Sequence, residues 1–172
     1  MSSIDATTIR AAVLHALHTA DSPISASQLA AQFHVSRQII VGDVALLRAS
    51  GEAISATPRG YVLSRAEQGV LRTVACRHRV EGTEEELNIM VDNGCVVLDV
   101  VVEHAVYGQL TGQLQIRSRY DVAQFLERLN ADGAKPLSSL TDGIHLHTLL
   151  CPDEAAFERT NEALRRAGFL LE

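Results

Sequence analysis

Two histidines two residues apart in an apolar run, Gly143-Ile144-His145-Leu146-His147-Thr148, are the side chains best placed in this sequence to do chemistry. Residues i and i+2 of a strand share one face, so both imidazoles can donate to one transition ion if further ligands arrive from elsewhere in the fold. Two inward-facing histidines need polar partners in any case. His78 lies near the end of another strand-like run, on the face opposite Arg77 and Arg79, and Glu86 follows in the first turn of a helix. A strand end and the next helix start can point at the same place. Each piece also has a plain structural reading. Thr83-x-x-Glu86 has the form of a capping box, which accounts for a glutamate without any ion. A lone His78 reads equally as a satisfied or surface histidine. Cys76, two residues before His78, and Cys151, four after His147, share strand parity with the histidines. They read as core cysteines, although a thiolate ligand would move the preference toward zinc.

A chain of 172 residues with 47% hydrophobic and 21% charged residues has an ordinary globular balance, enough for one domain or two small ones. No apolar run nears the roughly 18 to 20 residues that a membrane span needs, and Met1-Ser-Ser-Ile-Asp5 lacks the layout of a secretory signal, so a cytoplasmic protein is expected. The three cysteines are odd in number and form no CxxC pair, which indicates neither a disulfide framework nor a zinc knuckle. The net charge of −6 is unevenly spread. Residues 1–65 carry five arginines against four carboxylates, for +1, and the remainder carries −7. The acidic charge that argues against nucleic-acid binding therefore belongs to the C-terminal part.

In residues 1–65, apolar residues recur at helical spacing from Thr7 to about Ala20, and Asp21-Ser22-Pro23 ends the run. Ser25-Ala26-Ser27-Gln28 has the form of a capping box and opens a short second helix that stops at His34. Ser36 caps a third helix to about Ala49, with Ile40, Val44 and Leu47 on its buried side. Two helices separated by about three residues are the helix-turn-helix signature. Two strand-like runs within Ile54 to Leu63, around Thr57-Pro58-Arg59-Gly60, read as a hairpin wing. The segments Val35-Ser36-Arg37-Gln38, Asp43 to Arg48, Gly51 and Arg59-Gly60-Tyr61 resemble the winged helix-turn-helix of biotin-repressor-like regulators. One departure is His34, where glycine is common; histidine is among the residues that tolerate a left-handed backbone. If the third helix enters the major groove, Ser36, Arg37 and Gln38 are the natural base and phosphate contacts, and Arg59 on the wing touches backbone. A near-neutral domain binds DNA weakly alone, so a homodimer on a two-fold operator is expected.

Residues 66–172 read as strand (Gly69 to Val80), helix (Thr83 to Asn93), strand (Cys95 to about Glu103), strand (Tyr107 to Ile116), helix (Arg119 to Asn130), strand (Ile144 to Leu150) and helix (Asp153 to Ala167). Phe169 to Leu171 then return to the sheet. The expected class is α+β, a winged helix-turn-helix followed by a mixed or antiparallel sheet with helices on one face.

His78 with Glu86, Val102-Glu103-His104-Ala105-Val106-Tyr107-Gly108, Pro136-Leu137, Leu140 to Thr148 and Ala167-Gly168-Phe169-Leu170 together resemble the 3H domain, which stands behind a winged helix in the niacin-responsive transcriptional repressors of bacterial NAD metabolism. The resemblance covers essentially the whole chain. It departs at Ala105, where proline is common. It implies that His78, Glu86, His145 and His147 hold one divalent transition metal per chain, nickel or zinc. It implies an effector pocket using His104; Tyr107 is a further candidate to hydrogen-bond the ligand, and Arg77, Arg79, Arg117 and Arg119 are candidate partners for its carboxylate. It also implies nicotinic acid as co-repressor, an operator in double-stranded DNA, and target genes of NAD synthesis or niacin uptake. Three imidazoles and a carboxylate suit several borderline ions. Two rival readings stay open: a repressor for which the metal is itself the signal, and a metalloenzyme carrying a DNA-binding domain. Asp142 and Asp153 flank the histidine strand, but no independent base or nucleophile constellation accompanies them, so an enzyme is not expected.

Overall fold

The computed structural model describes residues 6–64 and 69–172 and divides the chain into two compact units, Met1–Ala66 and Glu67–Glu172. The expected boundary between residues 65 and 66 falls outside the described residues.

In the first unit, α1 (Ala6–Thr19), α2 (Ala26–Phe33) and α3 (Arg37–Ala49) precede a hairpin of β1 (Ile54–Thr57) and β2 (Gly60–Leu63). The capping box at Ser25 is formed in both directions, Gln28 N–H donating to Ser25 Oγ at 3.1 Å and Ser25 N–H to Gln28 Oε1 at 2.8 Å. His34 ends α2 in the left-handed conformation, φ 55° and ψ 41°, which turns the chain into α3. Val13, Leu17, Leu29, Ile40, Val44 and Ile54 close a single apolar core. Arg10 Nε reaches Asp43 Oδ1 at 3.3 Å and ties α1 to α3. Ile24 pairs with Tyr61 beside the hairpin turn, and a Cβ on Gly60, whose φ is 136°, would run into the Ile24 backbone.

In the second unit, β3 (Val70–Arg77), β4 (Val96–His104), β5 (Gly108–Ile116) and β6 (Ile144–Cys151) form one antiparallel sheet in the order β3-β6-β4-β5. Its helices are α4 (Thr83–Asp92), α5 (Arg119–Ala131) and α6 (Glu154–Arg166), with short 3-10 turns at Val80–Gly82 and Leu137–Thr141. Val74, Cys76, Val97, Leu149 and Cys151 on one sheet face share a core with Leu87 and Met90 of α4, Val122 of α5 and Ala156 and Leu164 of α6. The pleat turns Leu71, Ala75, Arg77, Ile144 and Leu146 to the opposite, open face.

After α6 the chain returns to the sheet, as expected, through a bridge of Leu170 to Cys76. Two expectations change. The first strand stops at Arg77, and the chain curls through a 3-10 turn before α4, so His78 stands just beyond the strand. A disulfide joins Cys95 to Cys151. These two are 56 residues apart, and the β4–β6 register, which pairs Val96 with Leu150, sets them side by side. Spacing along the chain carries no trace of such a pair, and the expectation of no disulfide fails for that reason.

Candidate metal centre

β6 carries His145 and His147 on its inner face, 2% and 3% exposed, one strand step from the inner residues Cys76 and Val74 of β3. α4 brings Glu86 over the same face, where it is 1% exposed. His78 completes the group from beyond the end of β3. Its Nε2 lies 2.7 Å from Glu86 Oε2, His147 Nε2 3.4 Å from the same oxygen, and His145 Nε2 2.9 Å from Oε1. All four residues that the family resemblance designates as metal ligands thus converge on one point. The imidazoles of His78 and His145, and of His145 and His147, stand edge to face with centroids 4.9 Å apart in each pair.

The other ring nitrogens decide what that point can hold. Nδ1 of His78 lies 2.7 Å from the Arg79 carbonyl, Nδ1 of His145 2.8 Å from the Gly143 carbonyl and Nδ1 of His147 2.6 Å from the Asp99 carbonyl. A carbonyl only accepts, so each Nδ1 carries the hydrogen and each neutral ring turns an Nε2 lone pair toward Glu86. A carboxylate also offers only lone pairs. His78 Nε2, although 2.7 Å from the carboxylate, makes no well-directed hydrogen bond. Four electron-pair donors therefore face one another in a buried site, and a positive charge among them is required: protons on the rings or a shared cation. Backbone carbonyls that fix imidazole tautomers in this way are the usual outer support of metal-ligating histidines.

The electrostatics follow. Burial alone would raise the Glu86 pKa, but the charge of His147 and the closeness of His145, His147 and His78 hold it well below the ordinary carboxylate range. Burial opposes charging of His147 and His78, yet closeness to Glu86 outweighs it and raises both. Burial, reinforced by the Glu86 charge, pushes the Cys76 thiol upward. Cys76 is the remaining free cysteine, fully buried, and Cys76, Glu86 and His145 form a cluster whose donor atoms lie within 4.8 Å of one another and could hold a metal ion.

The capping box expected at Thr83 is absent. Gly82 is the N-cap of α4 and makes no side-chain cap, Thr83 Oγ1 has no partner, and Glu86 is turned to the histidines instead. The extra 3-10 turn at Val80–Gly82 moved the helix start by one residue and took away the geometry that a box requires.

Several contributors carry no signal in the local sequence. Gly143 adopts φ 87°, and a Cβ there would strike the His78 carbonyl; its own carbonyl accepts from both His145 Nδ1 and the His78 amide at 3.4 Å. A Cβ on Gly82 would stand 3.0 Å from His78 Nδ1, and the Phe169 ring packs edge-on against His78 at 5.1 Å. Asp99 sits where β4 breaks register against β6, its carbonyl holding His147 and its Oδ1 accepting the Thr148 amide at 3.0 Å. For Asp99 alone a signal exists, an aspartate isolated in the run Val96-Val97-Leu98-Asp99-Val100-Val101-Val102.

His104 and Tyr107 stand at the β4–β5 turn. His104 Nδ1 accepts the amides of Val106 and Tyr107 at 3.1 and 3.3 Å, and the two rings lie 5.1 Å apart. Arg77 and Arg79 are exposed, Arg77 on the open sheet face, while Arg79 supplies its carbonyl to His78. In the first unit, Arg37 and Gln38 are exposed in the opening turn of α3. Ser36 accepts the Ile39 amide at 3.3 Å as N-cap, which leaves its hydroxyl hydrogen as a donor, and Arg59 lies in the hairpin turn. Ile39, 46% exposed, joins them as a residue that the helical pattern did not single out.

Residues 71–172 match the model of the 3H domain, and residues 10–62 match that of an HTH domain. The chain is 43% identical over 160 residues to the "Probable transcription repressor NiaR" of Thermotoga maritima, covering 93% of this chain and 91% of that protein. It is 45% identical over 159 residues to the "Transcription repressor NadR" of Bacillus subtilis, covering 90% and 88%.

Proposed function

The chain belongs to the family of transcription repressors that join a helix-turn-helix domain to a 3H domain, and from that premise we propose that it represses genes of NAD synthesis or niacin uptake, with nicotinic acid as co-repressor bound beside a transition-metal site. It is a DNA-binding regulator rather than an enzyme, as its repressor relatives indicate.

The observation that carries the metal reading is the set of three Nδ1-to-carbonyl contacts, which leave three Nε2 lone pairs and the Glu86 carboxylate directed at one buried point. Nε2 of His78, His145 and His147 and the carboxylate of Glu86 would hold a divalent ion, nickel or zinc. Bound there, it would supply an electrophilic position for the carboxylate or ring nitrogen of nicotinate. His104, whose Nδ1 is occupied as an acceptor, presents its Nε2 hydrogen as a donor to the ligand beside Tyr107. Arg79, next to His78, precedes Arg77 as the carboxylate partner, since Arg77 faces the open side of the sheet.

On DNA, Arg37 and Gln38 read base edges, Ser36 and Arg59 touch phosphates, and exposed Ile39 contacts a thymine methyl. A homodimer presents two such helices to successive major grooves. The open sheet face, where Leu71 is 58% and Ile144 40% exposed, offers a second copy an apolar surface. Ligand binding acts by favouring the dimer geometry that fits the operator.

Affinity for DNA from upstream of NAD-synthesis or niacin-uptake genes, measured by fluorescence anisotropy while nicotinic acid is titrated at fixed metal, is expected to rise with ligand. Affinity that ignores nicotinic acid but follows metal, titrated at fixed ligand, would make the ion the signal and overturn the co-repressor proposal.

A further inference from the structure

The register of the sheet places Cys76 of β3 directly opposite His145 of β6, both on the face that α4 covers. Cys76 is wholly buried. Its Sγ, a Glu86 carboxylate oxygen and a His145 ring nitrogen lie within 4.8 Å of one another, a spread that ligands of a single ion span. The cysteine is therefore not alone: it stands in a cluster whose His78 Nε2 is buried without a well-directed hydrogen bond. Sulfur at this distance adds a polarisable donor to an oxygen and nitrogen set.

We propose that Cys76 is a further ligand of this centre, coordinating a borderline-to-soft divalent cation through sulfur together with Glu86 and the histidines. The inference rests on the metal reading above and extends it to a residue outside the three-histidine, one-glutamate set. The step is a plain exchange: the S–H bond breaks, the proton leaves to solvent, the sulfur lone pair forms the bond to the ion, and no electrons are transferred. A thiolate in the set turns the site toward zinc, cobalt(II) and nickel and away from magnesium, calcium and manganese.

Cobalt(II) is a suitable probe, because a cobalt–thiolate bond gives a near-ultraviolet charge-transfer band that imidazole and carboxylate ligands do not. The chain has three cysteines, and with Cys95 and Cys151 joined under non-reducing conditions any such band reports Cys76. The full-length protein is expected to take up one cobalt(II) per chain with this band. Cys76→Ser and Cys76→Ala should bind cobalt(II) more weakly and lose the band completely. Stoichiometric cobalt in the unaltered protein without the band would overturn the thiolate assignment while leaving the metal centre intact. Failure to bind cobalt(II), zinc or nickel at all would overturn both. The unaltered protein alone separates these outcomes, so the inference does not depend on the variants folding.

Discussion

The two units solve the same problem, placing a few polar groups where a partner can meet them, in opposite ways. In the first, Ser36, Arg37 and Gln38 are consecutive, exposed at the opening of one helix, and supported by an apolar cluster. In the second, His78, Glu86, His145 and His147 come from a strand end, a helix and a distant strand, and the three imidazoles are held by the backbone carbonyls of Arg79, Gly143 and Asp99. An exposed surface of this kind can be built by local rules. A buried cluster of lone pairs is a collective object, and the loss of one member leaves the others uncompensated.

The largest effect that would test this contrast is Glu86→Ala. It leaves three buried imidazoles without their counter-charge and is expected to lower stability by about 3–5 kcal/mol, since breaking a buried charged group's partnership has that scale, and to abolish stoichiometric metal binding. Chemical denaturation and metal analysis check it; a variant with full metal content would remove Glu86 from the site. A paired substitution sharpens the comparison. Gly143→Ala and Gly60→Ala each force a Cβ against backbone at positive φ, at a cost of about 1–3 kcal/mol. The first should weaken metal binding and spare the affinity of the protein for non-specific DNA; the second should do the reverse. Equal damage to both functions by either variant would contradict the division of labour.

Protonation supplies a third test. In chelator-treated protein, the raised pKa of His78 and His147 contributes stability that is complete below the ordinary imidazole value of about 6.5 and is lost as pH rises through the folded-state values. The lowered Glu86 pKa contributes stability above the ordinary carboxylate value and is lost only as pH falls. The melting temperature of the chelated protein should therefore drop on the alkaline side of neutral, and excess zinc should abolish the drop by taking the place of the protons. A flat profile between about pH 6 and pH 9 would contradict the arrangement of lone pairs. The smallest effect belongs to Ser25→Ala, which removes the bond from the Gln28 amide to Ser25 Oγ and keeps the reciprocal one from the backbone of residue 25, for about 1 kcal/mol, and should leave metal content unchanged.

The same contrast explains what could be read from the sequence. Ser25, Ser36 and the helix period are local signals, and α1 to α3 and the hairpin lie within a residue or two of the segments read from them. His34 adopts the left-handed turn that its position demands. The histidine pair on β6 was legible for the same reason, as a two-residue period. Of the supports of the site, Asp99 alone leaves a trace, as an aspartate isolated in an apolar run. Gly82, Gly143 and Phe169 matter through contacts made across the fold, and the Cys95–Cys151 bond depends on strand register rather than on spacing. Thr83 shows the converse hazard, a correct local pattern displaced by one turn of 3-10 helix.

The carbonyl of Gly143 accepts from the amide of His78 and from the ring of His145. One carbonyl therefore ties the backbone at His78 to the ring of His145, although the two residues are far apart in sequence. A displacement of that carbonyl would unsettle both residues at once.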